Sequence, residues 1–313
     1  MPYGGRRVQP ERFDKFMARA NAAYYAAQDF HSDFVTAPEL TQVFGELLGA
    51  WAKVVWQMMG APEDIMLVEA GGGRGVMIAD ALRAWAAPSV HFIENSPRLR
   101  AEQAQRVPRA QWHDSLENLP DGPVILLANE FLDALPVRQF IRREAGWMER
   151  YVQYGAYVEL PVEYDFPDDP VGAVREVNET ALDFVRTLAA RGGVGLFIDY
   201  GPMESAAGES VQAIRAGKYA NPLDAPGEAD LTAHVDFAAI ARAVHAQGPV
   251  KQNAFLTALG LYQRSDILAQ RHPHMAENLK LAVQRLTAPE AMGSLFKVLA
   301  VCPQHLPILP GFA

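Results

Sequence analysis

The stretch LVEAGGGRGVMIADAL, residues 67–82, constrains the fold of this chain more than any other. An apolar run of strand length, Ile65 to Val68, ends in the acid Glu69 and breaks into glycines, after which Met77, Ile78, Ala81 and Leu82 recur at helical spacing. Gly71, Gly72, Gly73 and Gly75 allow positive φ and close backbone approach, so the pattern predicts a strand, a turn that a ligand can lie against, and a helix. The spacing argues against two common occupants. A triphosphate loop needs Lys and then Ser or Thr after its last glycine, but Gly75 is followed by Val76 and Met77. A dinucleotide fingerprint reads G-x-G-x-x-G, whereas Gly71, Gly73 and Gly75 read G-x-G-x-G.

Acids at two further strand ends refine the ligand. VHFIE closes on Glu94, 19 positions after Gly75, near the offset of ~20 at which a Rossmann-like unit sets an acid on ribose hydroxyls. QWHDSL carries Asp114 another 20 residues on, at the end of a third expected strand, where an adenine edge would lie. Taken singly, Glu94 and Asp114 read equally well as solvated strand-end acids; their joint spacing with Glu69 favours a ligand contact. The acid before G-x-G-x-G resembles the turn of class I S-adenosylmethionine-dependent methyltransferases. That cofactor has an amino-acid end, a ribose and a sulfonium in place of a pyrophosphate. The resemblance implies cofactor-binding roles for Glu69, Gly71, Gly73, Gly75, Glu94 and Asp114.

Length and composition set outer bounds. The 313 residues allow one large or two ordinary domains, and 50% hydrophobic residues are ample for a core. No apolar run reaches about 18 residues, so no membrane insertion is expected. The start, MPYGGRRVQPERFDKF, lacks an apolar segment and carries Glu11 and Asp14, unlike a signal or transit peptide, which gives a cytoplasmic expectation. The one cysteine, Cys302, excludes an internal disulfide and a cysteine-built metal cluster, and its apolar neighbours predict a buried thiol. A net charge of −9 disfavours a broad nucleic-acid surface and suits a basic substrate.

The chain reads as an α/β protein with a mostly parallel sheet, helices on both faces, and added segments. Residues 1–60 are expected to be helical, with Thr36 and Glu39 as a capping box before the apolar stripe Leu40, Val43, Phe44, Leu47, Leu48 and Trp51. Residues 61–202 are expected to form the core, on the strands IMLVEA, VHFIE, PVILLANE and GVGLFIDYG, with an antiparallel β excursion at about 138–165. Residues 203–290 read as a Gly- and Pro-rich loop followed by helices such as VDFAAIARAVHAQ and AENLKLAVQRLT; 291–313 supply a last strand, SLFKVLAVC, and a tail.

The second chemical motif is ANEFLDALPVRQF, residues 128–140. Asn129, Glu130 and Asp133 should emerge at the carboxyl end of a central strand, the edge where open α/β sheets bind ligands. Asn129 or Asp133 could instead cap the following turn, although capping does not account for all three. Asp199 and Tyr200 leave the next strand at a comparable place, and ADLTAHVDF offers Asp230, Thr232, His234 and Asp236, with His234 either a base or a structural residue.

Together EAGGGRG, NEFLDALPVRQF, IDYG, PGEADLTAHVDF and SDFVTAPELTQVFGELLGAW resemble the MidA family, whose mitochondrial members are known as complex I assembly factor 7. The likeness runs from about residue 24 to 301. It implies a class I methyltransferase fold, S-adenosyl-L-methionine as cofactor, no metal, and arginine methylation of a protein partner such as a respiratory complex I subunit or a bacterial equivalent. The implied location is cytoplasmic for a bacterial-type chain and the mitochondrial matrix for a eukaryotic one. Asn129, Glu130 and Asp133 fall on the family's reaction-edge signature. The chain departs from the family at Ser32, where Gly is usual, and in ARANAAYYAAQDFH and GESVQAIRAGKY.

Alignment of a nucleophile at roughly 3 Å from the methyl would supply on the order of 7–11 kcal/mol. A guanidinium, with pKa above about 12, needs carboxylates to hold its fork and assist proton loss. Glu130 and Asp133 are expected to form that clamp, with Asn129 orienting one of them. Two other readings stand beside this one: an assembly factor that binds the cofactor without turnover, and, less favoured, a nicotinamide-dependent oxidoreductase.

Overall fold

The apolar runs become the strands of one seven-stranded sheet, numbered here in chain order: β1 Met66–Ala70, β2 Ser89–Ile93, β3 Gln111–His113, β4 Val124–Asn129, β5 Val194–Tyr200, β6 Ala246–Lys251 and β7 Phe296–Val301. The computed structural model describes residues 9–27 and 36–313. MPYGGRRV, the end of ARANAAYYAAQDFH, and the opening of SDFVTAPEL with Ser32 lie outside the described residues. Strand order is β6-β7-β5-β4-β1-β2-β3, with β1 to β5 parallel and β7 antiparallel to both neighbours. β1, β4 and β7 are buried along their whole length, which is why they read as unbroken apolar runs rather than alternating ones. The chain steps outward from β1 to β3 and then returns to lay β4 on the other side of β1. Strand order thus reverses between β1 and β4, and the crevice at their carboxyl ends is the place where such sheets bind ligands.

The helix after the glycine turn, Val76–Ala84, is seated against the helix Gln42–Met58. Gly45 and Gly49 make this possible. A Cβ on Gly49 would stand 2.2 Å from Ala81 O, and one on Gly45 would stand 2.7 Å from Asp80 Cβ. The stripe Val43, Phe44, Leu47, Leu48 and Trp51 is core, as its period requires.

The capping box expected at Thr36 and Glu39 does not form. Ala37–Leu40 is a separate short helix to which Thr36 gives no side-chain cap. Thr41 then adopts extended backbone and caps Gln42–Met58, its Oγ1 accepting from Val43 N–H at 3.2 Å. The Glu39 side chain is engaged by Arg74 instead.

The described residues group into two compact units. One comprises 36–133, 181–205 and 235–313 and carries the seven-stranded sheet. The other comprises 9–27, 134–180 and 206–234. This grouping cuts across the linear segments read from the sequence, because the helix Phe13–Ala27 shares a core with the β excursion: Phe13, Phe16 and Met17 pack with Val137, Val152 and Leu231. In that unit Arg138–Arg143, Gly146–Gln153 and Ala156–Pro161 form the expected antiparallel meander, joined by Glu11–Arg12 and Val174–Val177. Buried Asn21 ties the unit together, donating to Ala134 O at 3.0 Å and Leu231 O at 2.8 Å and accepting from Leu231 N–H at 3.0 Å.

Two expectations for 203–290 are corrected. GESVQAIRAGKY is not loop throughout: Gln212–Arg215, Lys218–Ala220 and Asp230–Thr232 form a three-stranded antiparallel sheet. Ala216 (φ 50°) and Gly217 (φ 71°) make its two-residue hairpin turn, the positive-φ pair that such hairpins favour. VDFAAIARAVHAQ is helical only over Phe237–Ala243; the approach to Gly248 and Pro249 is extended and becomes β6. Cys302 is buried. Among the described residues no helix is long and apolar enough to cross a membrane.

Candidate active site

The turn after β1 is built from left-handed glycines: φ is 65° at Gly71, 48° at Gly73 and 77° at Gly75, which is the residue preceding the helix Val76–Ala84. Side chains are also excluded by space. A Cβ on Gly71 would stand 2.7 Å from the Phe131 ring, and one on Gly72 would stand 2.8 Å from Glu69 Cδ. Gly72, outside the G-x-G-x-G pattern, is therefore the glycine that lets the turn close over the acid. Glu69 is buried, and its Oε2 has no hydrogen-bond partner. Burial pushes its carboxyl well above the usual range, a backbone hydrogen bond at Ile78 opposes the shift, and the charge of Glu94 adds to it. An orphaned buried acceptor costs about 1–3 kcal/mol until a donor arrives, so the turn suits a ligand end carrying N–H groups.

Glu94 follows β2 half-buried, with Oε1 accepting from Ser96 N–H at 2.8 Å and Oε2 from Gln103 Nε2 at 3.4 Å. Burial raises its pKa as well. Asp114 follows β3 as expected but is exposed, and it is held by Arg100, whose Nε also donates to Glu94 O at 2.6 Å. Glu69 and Glu94 are thus brought within electrostatic reach of each other, whereas Asp114 stands at the rim. Trp112 of β3 stacks on Phe92 of β2, ring centroids 6.0 Å apart and planes 9° from parallel. Neither ring nor Gln103 stood out in the sequence, because nothing in their spacing marks them.

At the ends of β4 and β5 the chemistry changes. Glu130 has φ 50°, and its backbone N–H continues the pairing of β4 with β5 by donating to Ile198 O at 2.9 Å. Its Oε1 accepts from Asn129 Nδ2 at 3.0 Å and from Ala37 N–H at 3.4 Å. With the amide fixed in that sense, Asn129 Oδ1 is the atom left buried without a partner. Asn129 does not cap the turn that follows, since its Oδ1 accepts nothing. Asp199, at the end of β5, accepts through Oδ2 from the N–H groups of Phe131, Leu132 and Asp133 at 3.2, 3.0 and 3.2 Å. Its Oδ1 accepts from Tyr200 N–H at 3.0 Å. Burial holds the Asp199 carboxyl well above the usual range, and the charges of Asp133 and Glu130 push it the same way.

Three residues of ADLTAHVDF make side-chain contacts with neighbouring elements. Asp230 accepts from Tyr25 Oη at 2.7 Å, Thr232 Oγ1 from Gln212 Nε2 at 3.4 Å, and Asp236 caps the helix Phe237–Ala243 through Ala239 N–H at 2.8 Å. His234 is exposed, and its backbone N–H donates to Ser210 Oγ at 2.8 Å.

A sheet of this order, with one antiparallel strand and an acid-flanked glycine turn at the switch point, defines a Rossmann-like protein of the class I methyltransferase type. Residues 47–255 match the family described as "Putative S-adenosyl-L-methionine-dependent methyltransferase", and the chain belongs to that family. It is 32% identical to a Drosophila melanogaster protein named as the mitochondrial protein arginine methyltransferase NDUFAF7 homolog, over 94% of this chain and 80% of that one. The Homo sapiens NDUFAF7 protein arginine methyltransferase is 29% identical over 90% of this chain and 77% of its own length. A Burkholderia thailandensis protein crystallised with S-adenosyl-homocysteine superposes with a TM-score of 0.83 at 27% identity, covering 97% of this chain and 90% of that one. The protein is an S-adenosylmethionine-dependent methyltransferase, and the orphaned Glu69 Oε2 above a glycine-lined turn fits the amino-acid end of that cofactor.

Proposed function

We propose that this methyltransferase acts on an arginine nitrogen of a protein partner, with Glu130 and Asp133 binding the guanidinium and Asn129 orienting Glu130. The observation that carries the reading is the convergence of three carboxylates, Glu130, Asp133 and Asp199, at the ends of β4 and β5. Their mutual repulsion is expressed in the raised pKa of Asp199 and is relieved by a planar cation with several N–H donors. The hydrogen bond from Asn129 Nδ2 to Glu130 Oε1 supports the orienting role, and its unpartnered Oδ1 offers a further acceptor for an N–H of the substrate. The names of the Drosophila and human relatives support arginine as the acceptor.

On the cofactor side, the reading gives Glu69, Gly71, Gly73 and Gly75 the amino-acid end, Glu94 the ribose and Asp114 the rim of the adenine edge. Bound S-adenosylmethionine supplies an electrophilic methyl group. The chain supplies orientation and a place for the proton: as the methyl carbon bonds to the guanidinium nitrogen and its bond to sulfur breaks, leaving S-adenosylhomocysteine, that nitrogen loses a proton to the Glu130 carboxylate. The partner on this reading is a respiratory complex I subunit or a bacterial equivalent. The setting is the mitochondrial matrix in a eukaryote and the cytoplasm in a bacterium; the mitochondrial relatives support the first.

The test is mass spectrometry of peptides from cells with and without the protein, joined to tritiated methyl transfer into lysate. Methylarginine that disappears with the protein is the expected result. Label on another residue type, or cofactor binding with no labelled protein at all, would overturn the assignment and favour the binding-only reading.

A further inference from the structure

Gln103 lies in the helix Pro97–Arg106 and is fully buried, with both ends of its amide hydrogen-bonded. Those bonds reach the segments that follow two strands and the middle of a third. Nε2 donates to the carbonyl of Gly73, in the turn after β1, at 2.8 Å and to Glu94 Oε2, after β2, at 3.4 Å. Oε1 accepts from the indole N–H of Trp112, in β3, at 2.8 Å. The stem fills the remaining space: a Cβ on Gly75 would stand 3.2 Å from Gln103 Cγ.

We infer that Gln103 is a positioning residue for the cofactor, locking the glycine turn, the Glu94 carboxylate and the Trp112 ring into one assembly before the cofactor arrives. Only an amide serves all three neighbours, since two of them are oxygens that need donors and the third is a donor that needs an oxygen. Glutamate in its place would set a carboxylate against the Gly73 carbonyl and Glu94, and methionine would fill the volume with no polar contact. The inference rests on the reading of Glu94 as the ribose ligand for one of its consequences: a loosened Glu94 should discriminate less between ribose and 2′-deoxyribose.

The experiment is calorimetric titration of Gln103→Met, Gln103→Glu and Glu94→Gln with S-adenosylhomocysteine and with its 2′-deoxy analogue, with Tm and steady-state kinetics alongside. Loss of two or three buried hydrogen bonds should weaken S-adenosylhomocysteine about 30-fold in Gln103→Met and about 100-fold in Gln103→Glu. The ribose preference of Gln103→Met should fall toward that of Glu94→Gln. KM for S-adenosylmethionine should rise by a similar factor while kcat stays within about threefold, since orientation at β4 is untouched. Trp112→Phe, which keeps a ring but removes the indole donor, should cost about threefold. A folded Gln103→Met with wild-type affinity would overturn the inference. So would equal weakening of both analogues with a matching loss of Tm, the signature of a merely structural residue. If Glu94→Gln keeps the wild-type ribose preference, the ribose reading fails separately. The inference about Gln103 is then decided by affinity and Tm together: a 30-fold loss at unchanged Tm upholds it, and an unchanged affinity or a loss matched by Tm overturns it.

Discussion

The two sides of the switch point handle polar groups in opposite ways. Beyond β1 to β3, Glu69 Oε2 is orphaned while its neighbours meet neutral donors: Gly73 O and Glu94 Oε2 take the Gln103 amide, and Glu94 Oε1 takes Ser96 N–H. Beyond β4 and β5, three carboxylates converge, and one of them, Asp199, organises the loop of another by accepting three of its amide protons. Both Glu69 and Asp199 are raised chiefly by burial; the charge of Glu94 adds to the first, and those of Asp133 and Glu130 add to the second. On the proposed function, one side fits a shape and the other holds a cation.

The strongest way to break this division is Glu130→Gln. The substitution keeps the shape and removes the charge, so methyl transfer should fall at least about 10³-fold, or about 4 kcal/mol, while S-adenosylhomocysteine affinity stays within about threefold. Equal activity in the mutant would sink the clamp, and a parallel loss of cofactor affinity would sink the division itself.

Stability against pH comes next, because His91 and Asp199 carry opposite slopes. His91 in β2 is buried between Ser89 Oγ at 2.7 Å and His113 Nε2 at 2.9 Å, and burial with the neighbouring His113 pushes it from 6.5 down to about 4. The unfolded chain binds the extra proton between those values. Stability is therefore lost as pH falls from 6.5 to about 4, by on the order of 3 kcal/mol. Asp199 works the other way: its folded value is raised, so stability declines as pH rises from the ordinary carboxylate range through that value. Urea midpoints of wild type and His91→Gln from pH 7.5 to 4.5 should show the acid slope flattened in the mutant; identical slopes would remove His91 as its source.

A smaller effect, confined to the cofactor side, is expected of Gly72→Ala. The new methyl would stand 2.8 Å from Glu69 Cδ and must displace a buried carboxylate. Affinity for S-adenosylhomocysteine should drop about 30-fold, near 2 kcal/mol, with kcat at saturating cofactor little changed. An alanine variant that binds normally would show that the turn has room the backbone geometry denies it.

How much of this was legible in the sequence depended on whether the signal was local. MLVEA and VILLAN declare themselves because central parallel strands are buried on both faces, and the residues at their ends then place Glu69 and Asn129 at the carboxyl edge without further information. Thr36 and Glu39 matched a local capping pattern, yet Thr41 made the cap, since tertiary contacts between Glu39 and Arg74 outweighed it. Asp199 was visible as a strand-end acid but not as the anchor of the β4 loop, because its partners lie 66 to 68 residues away in the chain. Gln103 is the extreme case: a glutamine on a polar helix looks like surface until β1, β2 and β3 are assembled around it.

The same contact between Glu39 and Arg74 supplies the mildest test of the two-sided design. Arg74 sits inside the glycine turn, and its guanidinium grips both oxygens of Glu39, Nε donating to Oε1 at 3.1 Å and a terminal nitrogen to Oε2. The turn is thereby tethered to the helix Ala37–Leu40. Lysine keeps the charge but cannot make the fork, so Arg74→Lys should loosen the turn without emptying it. The side chains are 32% and 17% exposed, which limits the pair to about 0.5–1 kcal/mol and the loss of S-adenosylhomocysteine affinity to about two- to fivefold. Because water reaches the pair, titration in 0.5 M salt should shrink the gap between mutant and wild type, whereas a gap caused by packing alone would persist. Turnover at saturating S-adenosylmethionine should be indifferent to the change. If it falls further than affinity does, the turn is helping to place the acceptor as well as the cofactor, and the separation between a side that fits a shape and a side that holds a charge would have to be redrawn at Arg74.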